Sequence, residues 1–289
     1  MLPASKIRVC DVSTSGIERD ERDTGIHPGD DLYLHMNGRW LERSPIPEDK
    51  ARFGAFTIIA EEAEKAVREI LEEAALAEPG SEARKAGDLY STFMNEARIE
   101  KTGKAPLAEA LAAIETAHTQ GRNALVSHLG RLERSGVEGL WQLFVDNDPG
   151  DPEQYVIFLE QGGISLPDES YYREEAFADT RDAYVAHLER VFALAGVSEA
   201  AQRSARVMEF ETAMASHHWD NVRSRDAEAT YNPSSRAELT TVLGDFPLDL
   251  WLDASEIPGE KFAQVILRQP SFVAALSDVW TQQSVEALR

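Results

Sequence analysis

Between Phe56 and Leu76 the apolar residues Phe56, Ile59, Ala63, Val67, Ile70, Leu71 and Ala74 recur three or four positions apart, with charged residues between them. That spacing predicts an amphipathic helix, because residues three and four apart share one helical face. Upstream, Leu32, Tyr33, Met36 and Trp40 also fall on one face, behind the acidic pair Asp30-Asp31 that suits the positive end of a helix. Ser44-Pro-Ile-Pro47 ends this helix, since the residue before a proline is pushed out of α geometry. Pro79-Gly80 stops the long helix, and Ser81 opens another that runs through Leu89, Phe93 and Met94. Stretches rich in Ala, Leu and Glu at 106–118 and 122–134 continue the helical pattern.

The period then changes from helical to alternating. Gly139-Leu-Trp-Gln-Leu-Phe-Val145 and Glu153-Gln-Tyr-Val-Ile-Phe-Leu159 are rich in β-branched and aromatic residues and flank the turn-forming Asp146-Asn-Asp-Pro-Gly-Asp-Pro152. A β-hairpin near 139–160 is the economical reading. Asp146 and Asp148 do not make a calcium loop, because Asp151 stands where glycine is needed and no bidentate Glu follows. Helices are expected again at 173–195, 198–217, 235–243 and 271–281, with a short strand over 262–268. Ser284-Val-Glu-Ala-Leu-Arg289 reads as an N-cap and the first turn of a further helix, which one turn alone cannot sustain. The fold class is mostly α: a large multi-helical domain with one inserted β-hairpin.

Composition narrows the partners. A net charge of −22 leaves no clustered Lys/Arg for nucleic acid or an anionic membrane surface, so neither is an expected partner. No apolar run of about 20 residues exists to span a bilayer. The first ten residues lack the apolar core of a signal peptide, which makes the cytoplasm the default, with leaderless export left open. Cys10 is the single cysteine, so no internal disulfide forms, and no neighbouring His activates it.

Catalytic signatures are few. No H-E-x-x-H zinc motif, G-x-S-x-G elbow or glycine-rich phosphate loop occurs in the 289 residues. His217 and His218 are adjacent, which on a helix points them about 100° apart, and Glu211 lies two turns from His218. Neither pairing suits one metal ion. Glu61-Glu62 and Glu72-Glu73 lie among basic residues and read as solvated charge.

Several segments nevertheless come in a telling order: Asp30-Asp31, Asn37-Gly-Arg-Trp-Leu41, Ile46-Pro-Glu48, Arg52-Phe-Gly-Ala-Phe56, Leu89-Tyr90, Met94-Asn95, Gly163-Ile-Ser-Leu-Pro-Asp-Glu-Ser-Tyr-Tyr-Arg173, Tyr231-Asn232 and Gln269-Pro-Ser-Phe272. Together they resemble the N-terminal region of the neprilysin/endothelin-converting-enzyme family of zinc metallopeptidases, in its disulfide-free, actinobacterial-like form. The resemblance implies the substrate-enclosing part of a metalloendopeptidase that cuts small peptides. Residues 1–29 would be an extended or poorly ordered arm, 30–56 a junction with a catalytic domain, and 57–289 a helical peptidase N-terminal domain. It further implies that zinc and the catalytic residues belong to a C-terminal catalytic domain outside this chain, which alone is inactive and metal-free.

One residue carries over with a chemical reason. Arg52 matches a family arginine that meets the C-terminal side of the substrate, a task suited to a planar, bidentate guanidinium. A second family arginine eight residues on is Ala60 here, which puts strong C-terminal dipeptide preference in doubt. The Leu166–Arg173 loop reads as structural, Pro167 fixing the turn and Asp168 or Ser170 capping the helix that begins near Tyr172. The alternative is a free-standing helical module that binds peptides or a partner protein without catalysis. A bare apolar face around Trp40, Trp280 and Leu288 would favour the peptidase reading.

Overall fold

The computed structural model describes residues 19–48, 50 and 52–288, and these divide into two compact units, one up to Lys101 and one from Thr102 on. Cys10 and the Arg289 end of the last turn lie outside the described residues.

In the first unit, α1 (Leu32–Arg43) starts at Asp31, whose carboxylate accepts the Leu34 N–H. The residues before it are tied to it: Asp23 N–H donates to the His35 carbonyl, His35 Nδ1 meets the Ile26 carbonyl, and Arg43 pairs with Glu21. α2 (Ala55–Ala74) and α3 (Glu82–Phe93) form a helical hairpin, followed by α4 (Glu96–Thr102). Ser81 caps α3 by accepting the Arg84 N–H. The hairpin closes at Gly87, where a Cβ would sit 2.1 Å from the Ala75 backbone nitrogen, so only glycine allows this approach.

The second unit holds the core. α5 (Ala108–Gln120) and α6 (Arg122–Arg134) lead into β1 (Trp141–Asp148) and β2 (Asp151–Gln161). The chain continues through α7 (Ser170–Arg173), α8 (Ala178–Ala195), α9 (Ala200–Ala215) and β3 (Pro233–Ser235). It closes with α10 (Arg236–Leu243), α11 (Leu248–Ser255), β4 (Gln264–Leu267) and α12 (Pro270–Gln282). The hairpin is joined into a four-stranded sheet of order β1-β2-β4-β3, antiparallel except for the parallel β2–β4 pair.

Alternation along the strands splits the sheet into two faces. Ile157, Leu159, Val265 and Leu267 enter the main core with Trp141, Phe246, Trp251, Phe262, Phe272 and Trp280. Val156, Phe158 and Ile266 face the other way with Phe144 and Tyr231. Trp141 meets Trp251 edge-on at 5.0 Å and 82°, the arrangement ring quadrupoles favour. Arg122 donates to the carbonyls of Trp280 and Gln283, tying the start of α6 to the end of α12.

Two sequence expectations change. The helix expected over 173–195 is broken, with α7, a 3₁₀ turn at Glu175–Phe177 and then α8. Arg181 makes the break tolerable by donating to the carbonyls of Tyr171 and Glu174, which the helix leaves unpaired. The helix expected over 198–217 ends at Ala215, so His217 and His218 occupy the turn after it. The bare face around Trp40, Trp280 and Leu288 that would favour the peptidase reading over a free-standing module is not there: Trp280 is 3% exposed, Leu288 packs on the core and Trp40 is half-buried against Phe53. Exposed large apolar residues include Phe56, Leu89 and Phe93 on α2 and α3, and Leu194 and Val222 in the second unit.

Candidate functional site

Arg52 lies in the irregular segment between α1 and α2, and its side chain is exposed. Two contacts bracket it. Phe53 stacks on Trp40 with ring centroids 6.2 Å apart and planes 10° from parallel, and Lys50 pairs with Glu61 at 2.8 Å. The backbone is therefore held on both sides while the Arg52 side chain stays exposed.

The Gly163–Arg173 segment is organised by Glu211, a 7%-exposed carboxylate on α9. Its Oε1 accepts the hydroxyls of Ser165 at 2.7 Å and Tyr184 at 2.9 Å, and its Oε2 accepts Tyr172 at 2.7 Å. The Tyr172 hydroxyl in turn accepts the N–H groups of Ser165 and Leu166. Burial holds the Tyr184 phenol up to about 12 and pushes Tyr172 higher still, so both remain donors across the physiological range. With both oxygens occupied, Glu211 is a structural hub and not a free base. Asp168 accepts the N–H and the hydroxyl of Ser170 and the amide of Asn221, which closes the loop onto the turn after α9.

His218 is locked, not chelating. Its Nε2–H donates to the Gly162 carbonyl at 2.9 Å and its ring meets Phe272 edge-on; burial lowers its pKa, so the ring is neutral. Among the described residues no group of three or more His, Cys, Asp or Glu converges on a point that could hold a metal ion. These residues do not fit a zinc site.

Other landmarks of the sequence are structural as well. The buried Gln269 accepts the Gln161 N–H, the Ser271 hydroxyl accepts the Trp219 indole N–H, and Asn232 donates to the Leu267 carbonyl. Tyr231 donates to Asp148 at the hairpin turn. The Glu211 hub went unseen in the sequence: a lone Glu on a helix looks like surface charge, and its three hydroxyl partners come from separate segments. The double tyrosine at 171–172 was its only local sign.

Compared with known proteins, residues 28–289 match the family model for the N-terminal region of peptidase family M13. The chain belongs to this family. It is 28% identical to an endothelin-converting enzyme homolog of Locusta migratoria over 89% of its own length and 37% of that protein. Human endothelin-converting enzyme-like 1 is 28% identical over 76% of this chain and 30% of the relative. Among solved structures, the zinc metalloprotease Zmp1 of Mycobacterium tuberculosis in complex with an inhibitor superposes with a TM-score of 0.85. The two are 37% identical over 94% of this chain and 42% of that one. The M13 chain thus spans about two fifths or less of the lengths of these relatives. Among its described residues no helix is long and apolar enough to cross a membrane.

Proposed function

We propose that this M13 chain is the N-terminal, substrate-enclosing part of a zinc-dependent metalloendopeptidase acting on small peptides, with zinc and catalysis supplied by residues outside it. The observation that carries this reading is the superposition on Zmp1 along 94% of the chain at 37% identity. One feature supports it. The helices α1–α3 and the turn between α2 and α3 expose large apolar residues, among them Phe56 at 90%, Leu76 at 86%, Phe93 at 75% and Leu89 at 73%, a surface that monomeric proteins cover. The remaining polypeptide of the enzyme covers it, and the 30–56 segment forms the junction.

In this reading Arg52 faces the peptide and pairs with a carboxylate on its C-terminal side. When zinc is bound by the catalytic portion, it activates the attacking water. This chain's own contribution is to bind, orient and enclose the peptide.

The test combines the purified chain with the C-terminal portion of Zmp1, in trans or fused, and follows cleavage of a quenched fluorescent peptide together with zinc content. The chain alone is expected to hold no stoichiometric zinc and cleave nothing, and the combination is expected to cleave. Arg52→Ala in the combination should raise KM for peptides with a free C-terminal carboxylate by roughly tenfold and leave amidated ones unchanged, as for loss of a charged hydrogen bond. Chelator-sensitive cleavage by the chain alone, or a stable fusion that is inert, would overturn the proposal.

A further inference from the structure

A cavity of about 480 Å³ opens between the end of α6, β1 and α11, walled by Glu133, Trp141, Phe144, Trp251 and Ile257. It is of the size that holds small ligands. Within it the Glu133 carboxyl is placed where an anion is disfavoured three times over. It is largely buried, it stands in the last turn of α6 at the negative end of the helix, and among the described residues it has no cation partner. Gly139 makes room for it: a Cβ there would lie 1.9 Å from Glu133 Oε1. The charged neighbours on the wall are Arg134, which is paired with Glu256, and the exposed Glu138; β1 and α11 bring no titratable side chain to the cavity.

We propose that this cavity binds an organic cation, a primary ammonium on an aliphatic stem such as a lysine side chain of a peptide, with Glu133 as its counter-ion. The aromatic walls favour a cation over a neutral solute of the same shape, and they suit the methylenes of the stem. The net charge of −22 biases approach in the same sense. The site does not depend on the peptidase reading, because it is built wholly within residues 133–257.

Protonation supplies a distinctive signature. Burial pushes the Glu133 carboxyl up to about 8, opposed by the neighbouring indoles of Trp251 and Trp141, so the empty site is mostly neutral at pH 7. Pairing with an ammonium needs the carboxylate, and binding must therefore release a proton. Affinity should rise roughly 20-fold from about pH 6.5 to about pH 8.5, then fall as the amine itself deprotonates near 10.

The experiment is calorimetric titration of the chain with Nα-acetyl-lysine amide, n-butylammonium and the uncharged isostere Nα-acetyl-norleucine amide. The expected result is saturable one-to-one binding of the ammonium compounds, at least tenfold tighter than the isostere, with that pH dependence. Tighter binding of the lysine amide than of butylammonium assigns a peptide source, and the reverse assigns a free amine. Glu133→Gln should abolish the preference and the pH dependence. Trp141→Phe, which keeps the wall and removes the N–H, should keep both while altering the heat of binding. Equal binding of the isostere, a flat pH profile, or unchanged lysine-amide binding by Glu133→Gln would each overturn the proposal.

Discussion

Residues 19–101 and residues 102–289 both carry amphipathic helices, yet they bury them differently. α1 and α3 each bury a single glycine, α2 and α4 bury nothing, and all the buried hydrophobic residues described lie beyond Thr102. The apolar stripe of α2 is as regular as any in the second unit. Regular spacing therefore establishes that a helix has a face, not that the face has found its partner. In the second unit the sheet and α11 supply partners; in the first, among the described residues, the contacts are local ones such as the α2–α3 crossing at Gly87 and the Trp40–Phe53 stack.

The sharpest way to break this contrast is to truncate the core of the second unit. Trp251→Ala removes a side chain 2% exposed that contacts Trp141 and Phe262, and should cost about 3–5 kcal/mol in denaturant unfolding. Next comes a pH effect. Glu133 binds its proton more tightly folded, near 8, than unfolded, near 4.5. Stability should then fall as pH rises from about 4.5 to about 8 and level off above, by up to a few kcal/mol. Glu133→Gln should flatten that slope in melts across this range and leave the low-pH stability alone.

A smaller effect is expected in the first unit. Gly87→Ala gains about 1 kcal/mol of helix propensity but drives a methyl into the Ala75 backbone, which cannot move as a side chain can. The net outcome should be a loss of about 1–2 kcal/mol, seen as faster hydrogen exchange in α2 and α3 but not in α11. Smallest of all, Ile70→Ser on the 61%-exposed stripe should shift the chain's own unfolding by no more than about 0.5 kcal/mol. A loss of several kcal/mol there would mean that the stripe is already packed.

The sequence made most helices legible because their apolar periods are long and their ends are marked by Pro, Gly or capping residues. α10, the hairpin and the short strand over 264–267 were readable for the same reason. What stayed hidden depends on contacts distant in sequence. α11 is only eight residues long, and in Phe246-Pro-Leu-Asp-Leu-Trp-Leu252 the helical spacing of Leu248, Trp251 and Leu252 is overlaid by the strand-like alternation of Leu248, Leu250 and Leu252. The sheet order is fixed by β4 inserting between β2 and β3, more than a hundred residues from β2. At the candidate sites, Arg52 is proposed from its sequence neighbours alone, whereas the Glu211 hub and the Glu133 cavity exist only once several segments meet.

The most direct measurement is hydrogen exchange of α2 in the chain alone and in the chain joined to the C-terminal portion of Zmp1. If α1–α3 form the docking face of an M13 peptidase, α2 amides should exchange quickly in the chain alone and slow by about a hundredfold or more on joining, with α11 unchanged. Slow exchange of α2 in the chain alone, or no change on joining, would contradict it.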